Sequence, residues 1–318
     1  MHKKSLRIRY SELQSNINLK GNESVFVENN GQVKEYKIIN TEEELSEYTL
    51  NILDYVEKDI GLIITFECSN WISSFNNSIF LKNFNIDYCS KPQEMELLFL
   101  NFQNCEFFGC VNLMGGDYED IVINNSIFRK ELFIGFINCK SYFCTNNLLK
   151  NNVAIKNSTF NKFFFNSTQI DQNLYFEEDS MLEDFKFEKS KLFGNLDFID
   201  CTFEGPAKFS KLSIEQTASL NLSHCSFYKI SEINFNIILG KVSIYKTNFS
   251  DKCYFEYELL EKQNFLPLIS QNNLKTTKCK RWNTYRTPEN QLHINMRSWF
   301  FNRILLLQFS LCSYIVFV

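Results

Sequence analysis

Apolar or small residues recur along this chain at the spacing 2, 3, 2 and then 4. Phe163, Phe165, Thr168 and Ile170 set the pattern, and Leu174, Phe176, Asp179 and Met181 repeat it eleven residues on. Phe185, Phe187, Ser190 and Leu192 follow, then Leu196, Phe198, Cys201 and Phe203, then Ala207, Phe209, Leu212 and Ile214. After a two-residue slip the lattice resumes at Leu220, Leu222, Cys225 and Phe227, and it runs on to Val242, Ile244, Thr247 and Phe249. Upstream the same template appears with slips, as in Leu100, Phe102, Cys105, Phe107 and in Val153, Ile155, Ser158, Phe160. Residues two apart lie on one side of an extended segment, and steps of three or four turn a corner. No helix has this period. A chain that alternates short strands with corners and always turns the same residues inward is a parallel β-solenoid. Two units make a coil of about 22 residues, stacked at roughly 4.8 Å, so residues 99–255 predict about seven coils.

Phrases such as Asn104-Cys105-Glu106-Phe107, Asn125-Ser126-Ile127-Phe128, Asp200-Cys201-Thr202-Phe203 and His224-Cys225-Ser226-Phe227 resemble pentapeptide-repeat proteins. The resemblance covers about half of the chain. It implies a right-handed quadrilateral β-helix with a small residue (Cys105, Ser126, Ser158, Cys201, Cys225, Thr247) two before an inward ring (Phe107, Phe128, Phe160, Phe203, Phe227, Phe249). The chain departs from the family in using eleven residues where ten are expected, which one bulged residue per half-coil would reconcile. A three-sheet right-handed β-helix is the competing geometry.

Residues 1–98 lack the repeat and predict a small α+β cap. Val25–Val27 and Val33–Ile39 flank the hairpin signal Asn29-Asn30-Gly31. Thr41 and Glu44 stand in capping-box register ahead of a helix with Leu45, Tyr48, Ile52 and Tyr55 on one stripe, and 60–66 read as a buried strand. Residues 256–303 lose the repeat and carry Lys275, Lys278, Lys280, Arg281, Arg286, Arg297 and Arg303, so the expectation is a basic helical linker. Residues 304–318 are uncharged and mostly apolar. A span needs about 20 residues; counting back through Trp299 reaches that length but includes Arg303, which must snorkel. Two readings stay open, a membrane anchor with its basic flank on the cytoplasmic side and a cap on the solenoid.

Composition changes the picture only at a few points. Of 318 residues 44% are hydrophobic and 22% charged, which excludes wholesale disorder. A net charge of −4 gives no basis for nucleic-acid binding and little for DNA mimicry. The 33 Phe and nearly forty Asn are what an AT-rich gene would also favour. Eleven Cys behind a start with no apolar stretch predict reduced cysteines in the cytoplasm.

Chemistry is thin. His2 is terminal, His293 lies in the basic linker, and His224 precedes an inward Cys225, so strand alternation sends its side chain outward and away from any shared metal. Cys105 and Cys110, like Cys139 and Cys144, are five apart, a face-to-face step rather than a zinc knuckle. Asp117, Glu119 and Asp120, and again Glu177 and Glu178, read as solvated corner charge, while Asp179 falls on an inward position. No catalytic, cofactor-binding or metal-binding residue is assigned. The expectation is a non-catalytic scaffold that presents a rigid β-helix to a protein partner, cytoplasmic or tethered to the inner face of a membrane. The alternatives are a carbohydrate-active β-helix enzyme (lyase or hydrolase), which needs two carboxylates about 5–9.5 Å apart, and a DNA-mimic inhibitor of a topoisomerase.

Overall fold

The computed structural model describes residues 6–13, 24–50, 60–68, 74–88, 98–238, 241–249, 253–259, 268–270 and 283–284; side chains are described as far as residue 249, except at 48–50 and 235–242. These residues are mainly β and form a solenoid of about ten turns with almost no helix.

One coil shows how the sequence closes on itself. The chain runs through Leu132–Gly135, Asn138–Thr145 and Leu148–Leu149, then enters the next coil at Val153–Lys156. Four buried pairs point inward, Leu132 with Ile134, Ile137 with Cys139, Tyr142 with Cys144, and Asn147 with Leu149. They define four successive faces. The steps between them are 2, 3, 2, 3, 2, 3, 2 and 4, which makes a coil of 21 residues. Parallel pairing confirms that rise, with Val111 opposite Leu132, Leu132 opposite Val153 and Val153 opposite Leu174. The eleven-residue unit of the sequence is therefore a half-coil of alternately ten and eleven residues, regularised to eleven only after Leu174. Later coils lengthen, with Leu174 opposite Leu196 and Leu196 opposite Leu220. The two-residue slip is an extra turn at 215–218, where the Ala218 N–H donates to the Glu215 carbonyl.

Two opposite corners of each coil turn through the left-handed region. Asn104, Asn125, Asn146, Ser167, Lys189 and Lys211 occupy the corner from third to fourth face, with φ between 50 and 58°. Gly115, Phe136, Asn157, Glu178, Asp200, His224 and Lys246 occupy the corner from first to second. An L-residue other than Asn or Asp resists this conformation. Much of the Asn content is thus structural. Each corner N–H is satisfied by the next coil; Asn125, for instance, donates to the Thr145 carbonyl and Asn157 to that of Glu177, at 3.0 and 2.9 Å.

The residue after each corner explains the small polar lattice position. Its own N–H points into the core and needs an acceptor. The side chain one coil on supplies it. The Cys105, Ser126, Asn147 and Thr168 N–H groups donate in turn to Ser126 Oγ, Asn147 Oδ1, Thr168 Oγ1 and Ser190 Oγ, at 3.1, 2.7, 3.3 and 3.2 Å. The hydroxyls of Ser126, Thr168 and Ser190 donate back to the carbonyl two residues before them. A buried polar column is built this way from Cys105 to Ser190, and it ends at Leu212 one coil on.

Around these columns the rings stack. Phe176 lies 4.4 Å from Phe198, Phe165 4.6 Å from Phe187, and Phe203 4.3 Å from Phe227, each pair nearly parallel. Phe187, Phe198, Phe203, Phe209, Phe227 and Phe249 are all buried. Each fully buried ring contributes about 1.5–3 kcal/mol relative to exposure.

The N-terminal hairpin forms as its turn predicts, Ser24–Asn29 antiparallel to Gln32–Ile39 across Asn30 and Gly31, both with positive φ. Helix Glu42–Leu50 is capped by Thr41, whose hydroxyl accepts the Glu44 N–H, while the Glu44 carboxylate takes the N–H of Asn40. Ile52 and Tyr55 lie outside the described residues. The parallel ladder reaches into this region, since Gln32–Ile39 pairs with Gly61–Ile64, and that strand with Ser78–Phe80, which pairs with Glu106–Phe107. At the other end the helical expectation for 256–303 is not supported, and most of that range lies outside the described residues. The described residues there are strands. Cys253–Leu259 pairs with Ser231–Ile238, Leu268–Ser270 with Lys241–Tyr245, and Asn283–Thr284 with Glu258–Leu259, all parallel. Alternation at Cys253, Phe255 and Tyr257 is a strand period, and basic composition is not a helix signal. Residues 304–318 lie outside the described residues.

The corner geometry predicts a stabilising substitution. Lys189 is exposed at φ 52°. Lys189→Asn is expected to raise the unfolding free energy by about 0.5–1 kcal/mol, whereas Lys191→Asn, two residues on in a strand, is not. Denaturant midpoints decide it; a loss of stability in Lys189→Asn contradicts a left-handed corner at that position.

Candidate functional site

The residues that carry chemistry in the sequence are placed apart from one another. His224 sits on a left-handed corner with its ring outward, 3.9 Å from Asp200 and 3.2 Å from Ser223 Oγ. Cys225 faces the core behind it. Glu119 is held 2.6 Å from Lys140, Asp117 accepts from Asn138, and Glu177 lies 2.5 Å from Lys156, each partner one coil away. Vertical pairing of this kind ties the carboxylates to the ladder. Among the described residues no group of three or more His, Cys, Asp or Glu side chains gathers for a metal, and no helix is long and apolar enough to cross a membrane.

The thiols divide by depth. Cys105, Cys139 and Cys144 are buried and unbridged, and desolvation pushes each up to about 12. The hydrogen bond with Cys225, and then burial, push the Cys201 thiol well up. Such thiols are poor nucleophiles. Cys110, five residues from Cys105, is half-buried at a corner.

Asp179 is the exception that the inward lattice marks. It stands in the polar column that Ser158 and Cys201 occupy one coil either side, and it is 1% exposed. Its Oδ1 accepts the Ser158 N–H at 2.8 Å, as a column residue should, and its Oδ2 accepts the Glu177 N–H at 3.1 Å. Burial raises its pKa to about 7 against the pull of those two donors, and Glu177 and Glu178 raise it further. A carboxylate has replaced a hydroxyl or thiol in a structural role.

Two features escape sequence reading because they need the 21-residue rise. The first is a clasp. Arg129 donates to Glu106 at 2.5 Å and to the Tyr10 hydroxyl at 3.0 Å, and its guanidinium lies 4.8 Å over the Phe108 ring. It fastens the N-terminal segment over the fourth face, on a second apolar cluster of Ile8, Leu13, Val25, Val27, Ile38, Ile63, Ile79 and Phe108. Desolvation, then hydrogen bonding to Glu106, pushes the Tyr10 phenol above its ordinary range. The second is a cleft of about 330 Å³ on the outer side of the first face, lined by Phe133, Ala154, Lys156, Tyr175, Glu177 and their neighbours. The outward column of the third face carries another ring pair, Phe143 stacked on Phe164 at 5.1 Å with Lys186 Nζ 4.8 Å over Phe164.

Asp179 sets a pH dependence. Its folded pKa lies above the unfolded value of 3.8, so the protonated form stabilises the fold. That stability is complete below pH about 4 and is lost as pH rises through about 7. The loss amounts to about 4 kcal/mol at about 1.4 kcal/mol per unit. Asp179→Ser, which restores the residue type of Ser158, is expected to flatten the unfolding free energy between pH 4 and 7; an unchanged slope in that variant assigns the dependence elsewhere.

No family model, no curated protein and no solved structure matches the chain.

Proposed function

We propose that the chain is a non-catalytic scaffold that binds a protein partner on its solenoid surface and is held at the cytoplasmic face of a membrane through residues 299–318. The observation that carries the first half is the third outer face. Its strand segments Ile121–Asn124, Tyr142–Thr145, Phe163–Asn166, Phe185–Glu188 and Ala207–Ser210 are each paired in parallel and in register with the next. On this rigid surface Phe143 and Phe164 are only half-buried, stacked, and capped by a lysine. Aromatic side chains ringed by charge are what protein interfaces use as anchors. The vertical pairing of Glu119 and Glu177 with lysines speaks against acid–base catalysis there. The five-residue steps, three per 21-residue coil, strengthen the resemblance to pentapeptide-repeat proteins and with it the right-handed quadrilateral reading.

The membrane half rests on sequence alone, on fifteen uncharged residues after Arg303, with apolar side chains each giving about −0.3 to −0.6 kcal/mol on insertion.

Two outcomes are expected. Proteins cross-linked to the tagged chain in cells include a specific species that is lost in a Phe143→Ser, Phe164→Ser double variant, while the far-ultraviolet spectrum stays the same. An identical set of cross-links in the variant removes that face as the interface. Separately, the 318-residue chain sediments with membranes and resists extraction by high salt, and a chain ending at Asn302 stays in the supernatant. Salt-extractable or freely soluble behaviour of the longer chain overturns the anchor.

A further inference from the structure

The cleft on the first face lies across the coil from the aromatic pair of the third. Its floor and walls follow from one outward column. Register places Asn85, Asn112, Phe133, Ala154, Tyr175, Asp197 and Asn221 directly above one another. The polar ends of that column are closed by their own contacts. Asn112 donates to Asn85 at 2.6 Å, and Asn221 donates to Asp197. In the middle, two rings flank a single methyl group. Rings on successive coils commonly stack in this solenoid, at 4.7 Å for Phe107 and Phe128, 5.1 Å for Phe143 and Phe164, and 4.3 Å for Phe203 and Phe227. Phe133 and Tyr175 are two coils apart, roughly 9.6 Å along the axis. Over Ala154 one ring is missing from the stack, and the space left is one ring thick.

Gly135 keeps that space open. A Cβ there would lie 2.7 Å from Cε1 and Cζ of Phe133, so the glycine lets the ring lie along its own strand. The edges of the slot are mainly polar, with Ile199 the apolar exception beside Glu177. Glu131 and Asn152 stand where the strands begin, and the Lys156–Glu177 ion pair stands where they end. The Asn152 oxygen is committed to the Asn173 N–H at 3.2 Å. Two carboxylates and one lysine leave the rim acidic, which repels an anionic ligand.

We infer that this slot binds one neutral pyranose ring of a glycan, its C–H faces against Phe133 and Tyr175 and its hydroxyls at the two polar edges. A pyranose is flat enough for a one-ring gap and carries hydrogen-bonding groups around its whole rim. An aromatic side chain would fill the gap but bring no hydrogen-bonding group to the Glu131 carboxylate or to the outer side of the Lys156–Glu177 pair. A nucleotide or a uronic acid would bring negative charge against Glu131 and Glu177. The site is non-catalytic and independent of the third-face reading.

The test titrates the intact chain with neutral hexasaccharides (cello-, malto-, xylo-, manno- and chito-oligomers) and with oligogalacturonate, by calorimetry. At least one neutral oligomer is expected to bind, with oligogalacturonate at least tenfold weaker. Ala154→Trp, which fills the slot with an indole on an outward position, is expected to weaken binding at least tenfold, as is Tyr175→Ala, both with unchanged melting. Should no neutral oligomer bind, or should Ala154→Trp bind as tightly as the parent, the slot is not a sugar site. Equal affinity for oligogalacturonate overturns the argument from charge. Loss of a protein cross-link in Ala154→Trp, with no oligomer bound, reassigns the slot to a partner's side chain.

Discussion

The structure depends on where the backbone N–H groups go at two corners of every coil. A left-handed corner turns one amide along the solenoid axis to the next coil and the following one into the core. The first is satisfied by a carbonyl. The second is met by a side chain of the next coil. Ser126, Asn147, Thr168, Ser158 and Asp179 are there to accept it. Small size is needed because the rings of Phe107, Phe128 and Phe160 fill the volume beside them, and polarity because an unmet buried amide costs about 1–3 kcal/mol. The two-residue motif of corner and small polar residue is a single solution to a donor left over by the turn.

The coil stack is therefore held in two ways that reinforce each other. Axial hydrogen bonds fix the register, and register aligns like side chains in columns. Rings placed over rings then stack without search, as Phe203, Phe227 and Phe249 do. Where the columns thin, as at Ala207, the rings of Phe198, Phe203 and Phe209 crowd into the vacancy at 5.5 to 6.3 Å from one another. Outside, the same alignment puts Glu177 beside Lys156 and Glu119 beside Lys140, so charge is neutralised along the axis.

From Phe163 to Phe249 the inward lattice was legible from the sequence, because rings and branched residues mark almost every position. The corners were not. Asn104, Asn125, Asn146 and Asn157 look like compositional bias until their spacing of 21, 21 and 11 is set against a coil. Phe136, Glu178 and Lys189 carry no turn signal, since the corner is imposed on them by neighbours. The strand at Gly61–Ile64 was legible as the buried run 60–66, whereas its place in the ladder beside Ser78–Phe80 was masked by a coil of 27 residues, from Phe84 to Val111, that breaks the phase. Asp179 was visible as an anomaly, and its partners followed only from the coordinates. The aromatic slot needs residues 133, 154 and 175 compared at the true rise, which an eleven-residue unit hides.

One consequence belongs to the corners that are not left-handed. Between Val111 and Leu220 the chain gains residues at three places, the step from Tyr118 to Asp120 opposite Leu98 to Phe99, the step from Phe160 to Lys162 opposite Met181 to Asp184, and the turn at 215–218. All three lie on wide edges, those without a left-handed corner. The left-handed edges act as a gauge that fixes the length of each face, and the wide edges act as seams. New sequence let into a seam leaves every column in line, so two of the four edges of this prism are open to growth, grafting and divergence while the other two are closed to them.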